Sequence, residues 1–295
     1  MAIRRPGRAA VLAAVLLLAA TGCARPTAGK PAPNDEAADA ITVKKGILEF
    51  EDHFKNLGDE HAKVYNFLNY DDIELTTEHE SYKLGDPPIT VLERHRADED
   101  DTSAILHPAD APYDYVRLDK AHSHLAPTPW VATPSLYQGG FENCFLLTAW
   151  LACHLDNAIS QTKIDAGDRQ PAQARETDDG IEVTTGALLG LMLDEGFIGV
   201  PEDQRGAIST QMRDEVVPVV IRFDKDMKFT GFEIRGKVDD GKSKPIELQI
   251  GYEVLGESTE NDFPDQPAAN ETTVITDQAK ADKFWEDFNS RVPQG

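Results

Sequence analysis

The chain of 295 residues reads as an α+β protein: an extended antiparallel sheet, half-barrel in form, with helices packed on its concave face. Three observations predict this. Long runs near the C-terminus alternate apolar and polar residues, shorter alternating runs fill residues 73–120, and between them lie segments apolar enough to be buried helices.

The elements follow in order. Arg4, Arg5 and Arg8 precede an apolar run from Ala9 to Ala20, which is short of the ~20 residues a spanning helix needs. Residues 1–22 are therefore a secretory signal peptide. The tetrad Ala20-Thr21-Gly22-Cys23 resembles the lipobox of bacterial lipoproteins. That resemblance implies that the Cys23 sulfur receives a diacylglyceryl group and that the chain is cut before it. The protein then sits on the outer face of a cell membrane, held by its lipid. An ordinary signal peptide whose cut site falls near a cysteine is the alternative. Residues 23–44 complete the lipidated N-terminus as a flexible tether, because the Ala/Pro-rich stretch at 24–40 cannot bury enough surface to order itself.

Residues 45–256 form the one folded domain. "ILEFEDHFKNLGDEHAKVYNFLNY", 47–70, carries apolar groups three and four apart and predicts an amphipathic helix that Gly58 breaks in two. "DIELTTE", "PITVLERHR", "SAILH" and "YDYVRLD" predict an antiparallel meander, and "TPWVATP" a strand carrying Trp130. "FLLTAWLACHLDNAIS", 145–160, is apolar all round and predicts a buried helix. Residues 163–180 read as a polar loop. "IEVTTGALLGLMLDEGF" predicts a strand and a short apolar helix, and Pro201 followed by acids opens another helix. "VVPVVIRF", "KFTGFEIRGKV" and "PIELQIGYEVLG" predict three successive antiparallel strands. Beyond Gly256, residues 257–295 read as an acidic tail with a short amphipathic helix around Ala279–Phe288.

Composition excludes some partners. With 29 basic and 52 acidic side chains the formal charge is −23, which argues against nucleic acid and against anionic head groups. Removing the signal peptide takes away three arginines and no acid. Besides Cys23 there are two cysteines, Cys144 and Cys153. In an oxidising compartment they either pair or remain as buried thiols. On one straight helix they would lie ~13.5 Å apart, too far to bridge, so pairing requires the helix to start after Cys144.

Signatures of chemistry are scarce. The chain holds no G-x-S-x-G, H-E-x-x-H, P-loop or G-x-G-x-x-G opening a helix. "YQGGF" reads as a turn and "DEDDTS" as a solvated hairpin tip. His122 and His124 could share a strand face, but without further ligands they read as surface histidines rather than a metal site. No catalytic residue, metal or cofactor is assigned.

Taken together, the lipobox and tether, the N-terminal helix, the meander "YDYVRL…TPWVAT", the apolar helices and "VPVVIRFDKDMKFTGFEIRGKV…IELQIGYEVLGE" resemble the LppX/LprG-type lipoproteins of mycobacteria and other actinobacteria. The resemblance covers roughly residues 45–256. Val217-Pro218-Val219 matches the family's pattern, whereas the turn at Asp224–Lys228 lacks its glycine. It implies a half-barrel enclosing an apolar cavity that binds or carries an envelope lipid or glycolipid without catalysis. Candidate lining residues are then Val116, Leu118, Trp130, Leu147, Trp150, Leu151, Leu188, Leu191, Met192, Phe232, Ile234, Leu248 and Ile250. The alternative is a non-enzymatic envelope interaction protein with a filled core and an acidic partner-binding surface. Pocket-lining and core residues have the same composition, so sequence alone does not separate these.

Overall fold

The computed structural model describes residues 35–95, 102–109, 111–135 and 147–289. Cys23, Cys144, the glycine pair of "YQGGF" and most of "DEDDTS" lie outside them. From Ala38 onward the described chain forms one compact unit, and no helix among the described residues is long and apolar enough to cross a membrane.

Twelve strands form one sheet. In chain order they are β1 (Glu60–Tyr70), β2 (Ile73–Leu84), β3 (Ile89–His95), β4 (Thr102–His107), β5 (Tyr113–Arg117), β6 (Trp130–Pro134), β7 (Gln173–Glu176), β8 (Ile181–Leu188), β9 (Val216–Phe223), β10 (Phe229–Val238), β11 (Ile246–Gly256) and β12 (Thr272–Val274). Their spatial order is β12-β6-β5-β4-β3-β2-β1-β11-β10-β9-β8-β7, so the sheet is open, with β12 and β7 as its edges. Every neighbouring pair is antiparallel except β12 and β6, which run parallel. The helices are α1 (Asp35–Lys55), α2 (Leu147–Ala166), α3 (Leu189–Asp194), α4 (Glu202–Arg205), α5 (Thr210–Arg213) and α6 (Gln278–Asn289).

The predicted architecture holds: an open antiparallel sheet carries its helices on one apolar face. One row of that inner face runs Val64, Tyr252, Phe232, Ile221, Val183 across β1, β11, β10, β9 and β8. All five are buried beneath α1, α2 and α3 in the main core. Phe50 and Phe54 of α1 meet Phe229 at centroid distances of 5.5 and 5.3 Å. Gly46 lets α1 come this close, since a Cβ there would stand 2.8 Å from Val183 Cγ2.

Four local expectations are corrected. The helix predicted over 47–70 ends at Lys55, and residues 60–70 are β1. Val64, Phe67 and Leu68 fit a helical period, yet Ala62, Val64, Leu68 and Tyr70 also fit a strand, and pairing with both β2 and β11 decides for the strand. Residues 35–44, expected in the tether, form the first turns of α1. The polar loop predicted at 163–180 contains the end of α2 and the edge strand β7, which is polar because β8 is its sole strand neighbour. The tail after Gly256 is built into the fold. It crosses the outer face, where Phe263 packs beside Tyr82, Val91, Leu106, Tyr115 and Ala132. It then pairs as β12 with β6 and places α6 on the inner face.

Candidate functional site

The inner face has a second apolar row, Leu92, Ile105, Val116, Val131, across β3, β4, β5 and β6. Phe284 and Phe288 of α6 cover it. Between this row and the main core runs β2, whose inward positions turn from Ile73 and Leu75, in the main core, to Thr77, His79 and Ser81, which carry no large apolar group. Ser81 stands opposite Ala62 on one side and Leu92 on the other. Short and polar side chains cannot fill the space between α1 and α6. A cavity of about 390 Å³ is left there.

Its walls come from six strands, the helix α6 and Leu57, just past the end of α1. Ser81, Thr90, Leu92 and Ile105 form the floor; Leu57, Glu60 and Tyr252 stand on the α1 side, and Trp285 on the α6 side. His107 and Asp114 close one end, and Lys83, Arg94, Asp282 and Asn289 also line the space. Asp282 and Asn289 are exposed and mark the rim.

Two polar clusters border this space. His107 Nδ1 lies 2.6 Å from Asp114 Oδ1, with both side chains buried. Ser135 Oγ is 3.4 Å from the same nitrogen. A hydrolytic triad needs the hydroxyl and the carboxylate on opposite ring nitrogens; here they share one, so the imidazole cannot relay a proton between them. At the other end the Tyr252 hydroxyl donates to Glu60 Oε1, and His53 Nε2 lies 2.9 Å from Glu60 Oε2. Burial, with Glu60 beside it, pushes the Tyr252 phenol well above its usual range. Ser258 Oγ donates to the Glu60 carbonyl at 2.6 Å and fastens the start of the tail to β1.

At the rim both terminal nitrogens of Arg94 donate to Asn289 Oδ1 at 3.1 Å. Its guanidinium stands 5.0 Å over the Phe288 ring. His79, one strand away, is held down to about 4 by burial, with the Arg94 and His95 charges acting in the same direction.

The residues singled out from the sequence fall in several places. Val116 lies under α6 with Leu118 packed against the same cluster, while Trp130 is on the outer face near Phe263. Leu151, Met192, Phe232, Ile234, Leu248 and Ile250 belong to the main core, with Leu191 against it. Leu188 is buried, Trp150 is partly exposed beside His154, and Leu147 opens α2. The cavity walls are built from other residues. Cys153 is disulfide-bonded, and α2 begins at Leu147, past Cys144. His122 and His124 lie at a 3₁₀ turn, not on a strand. His122 is buried with Nδ1 at 2.6 Å from Asp119 Oδ1, which corrects its reading as a surface residue. Among the described residues no three His, Cys, Asp or Glu side chains gather as a metal site.

The chain is similar to several solved structures. One is a LolA-superfamily protein from Nitrosomonas europaea, 11% identical, covering 75% of this chain and 97% of its own, with a TM-score of 0.29. Another is the Mycobacterium tuberculosis lipoprotein LppX, 12% identical, covering 74% and 94%, with a TM-score of 0.32. A third is a putative outer membrane lipoprotein-sorting protein domain from Vibrio parahaemolyticus, 9% identical, covering 76% and 95%, with a TM-score of 0.21. No protein-family model and no curated protein matches the chain. Likeness this low decides nothing about ligand or activity, which rest on the cavity itself.

The signal that could have located the cavity is in β2. In "ELTTEHESYKL" neither alternate set is continuously apolar, although the strand lies deep inside a twelve-stranded sheet. An interior strand with two polar faces marks where the core is interrupted.

Proposed function

We propose that this chain is a non-enzymatic envelope lipoprotein, anchored through an acylated Cys23 to the outer face of a cell membrane, that holds a lipid or other apolar ligand between its sheet and helices. The cavity of about 390 Å³ carries this reading. Its volume lies at the small end of the ~300–1,000 Å³ typical of ligand sites, which suits one slim chain better than several. Each methylene buried on Leu92 and Ile105 is worth about 0.8 kcal/mol. The polar groups at either end, His107 with Asp114 and Glu60 with Tyr252, would orient the ligand's polar atoms. The cavity also weighs against a filled core serving only as an adaptor. Among the described residues no catalytic triad or metal cluster lines it.

Native mass spectrometry on residues 30–295, purified without detergent, tests the reading. A reproducible added mass, identified by extraction as lipid, is the expected result. A bare chain that takes up no lipid on challenge would leave the interaction protein in its place.

A further inference from the structure

The cavity does not end where α6 begins. Leu92, Ile105 and Trp285 belong both to its walls and to the apolar cluster beneath that helix. Past Ile105 the same row continues through Val116 and Val131 under Phe284 and Phe288. Lifting α6 would turn the cavity into a groove running from β2 to β6.

The helix is seated imperfectly. In its bed Trp285 Nε1 and His122 Nε2 are buried without a hydrogen-bond partner among the described residues, and the His122 ring lies 4.7 Å from that of Phe288. Unpaired polar atoms of this kind subtract from the stability of an interface. Of the twelve residues of α6 only Ala281, Phe284 and Phe288 are buried. Two residues, Thr276 and Asp277, link it to Ile275, whose amide donates to Ala132 at 2.8 Å. Leaving its bed would release Arg94 from Asn289 and from the Phe288 ring but would break no strand pairing.

From this we infer that the bed of α6, floored by Leu92, Ile105, Val116 and Val131, is a second segment of the ligand site, which the protein's own C-terminal helix occupies until a longer chain displaces it. The inference rests on the reading of the cavity as a lipid site. The ligand class it names is a single-chain amphiphile too long for the cavity alone, with Phe284 and Phe288 standing in for the far end of that chain.

The test compares octanoate with stearate on the mature chain, measuring both affinity and amide hydrogen exchange over residues 278–289. Stearate should speed exchange in α6 by about tenfold or more, while octanoate binds and leaves it unchanged. Phe288→Ala, which loosens the helix, should bind stearate about tenfold more tightly and octanoate as before, because a closed form no longer competes. Stearate binding with α6 equally or better protected would overturn the inference and leave the cavity reading intact. Failure of both fatty acids to bind would remove the cavity reading and the inference together. Should Phe288→Ala not fold, exchange in the natural chain decides alone.

Discussion

His79 shows how one side chain ties the interrupted core to pH. Its ring faces inward from β2, opposite Val64 and Arg94, and burial with the Arg94 and His95 charges lowers it from 6.5 to about 4. The unfolded chain therefore binds a proton that the folded chain refuses between those values. Stability contributed by the neutral ring is full above pH 6.5 and is lost as pH falls through that window, by up to about 3 kcal/mol. Urea unfolding across this range should show the decline, and His79→Gln should flatten it. A variant that keeps the full slope would place its origin elsewhere. A second residue-scale prediction concerns the outer face, where the Tyr65 ring lies over Gly251, its cross-strand partner. A Cβ at Gly251 would stand 2.1 Å from the Tyr65 ring carbon Cζ. Gly251→Ala should therefore cost about 1–3 kcal/mol in urea unfolding by driving that ring aside.

At the scale of elements, β2 separates two cores and α6 closes one of them. Filling the gap should cost little, since the space is already open. Thr90→Trp is expected to abolish the added lipid mass while shifting unfolding by less than about 1 kcal/mol; undiminished lipid uptake by this variant would move the ligand elsewhere. Leu248 makes an instructive contrast. It is buried in the main core opposite Leu68 and Gly236, so a charge placed there would unfold the protein rather than probe the ligand. The helix α2 supplies a covalent prediction. With Cys153 disulfide-bonded and α2 starting at Leu147, a non-reducing peptide map should join Cys153 to Cys144. Closing so short a loop is worth about 3 kcal/mol, which Cys153→Ser should remove.

For the whole molecule, the segment after Gly256 covers both faces of β3–β6. Phe263 lies on one face; Phe284 and Phe288 lie on the other. Removing residues 257–295 would bare both rows and leave β6 as a sheet edge. Two buried phenylalanines alone are worth at least about 3 kcal/mol, so the truncated chain should unfold at clearly lower urea, with aggregation through the freed edge. A truncated chain of unchanged stability would mean that the segment is an appendage after all. The strong negative charge belongs to this scale too: it favours solubility and discourages docking on anionic head groups.

The local repertoire was legible in the order of the residues. Alternation in 216–256 and 89–134 specified strands because one face of each is buried and the other wet, and the sparse apolar groups of 278–289 specified α6. Strand pairing made residues 60–70 a strand, since a helical and an alternating pattern coincide there and the partners β2 and β11 break the tie. Long-range packing decided that 257–295 completes the fold, because the apolar rows it covers come from strands distant in sequence. The cavity belongs with these. An apolar residue in a packed core and one facing empty space look alike in sequence, and what made the space was the adjacency of a doubly polar strand to two separate helical covers. That adjacency is a property of the sheet order, and no single segment contains it.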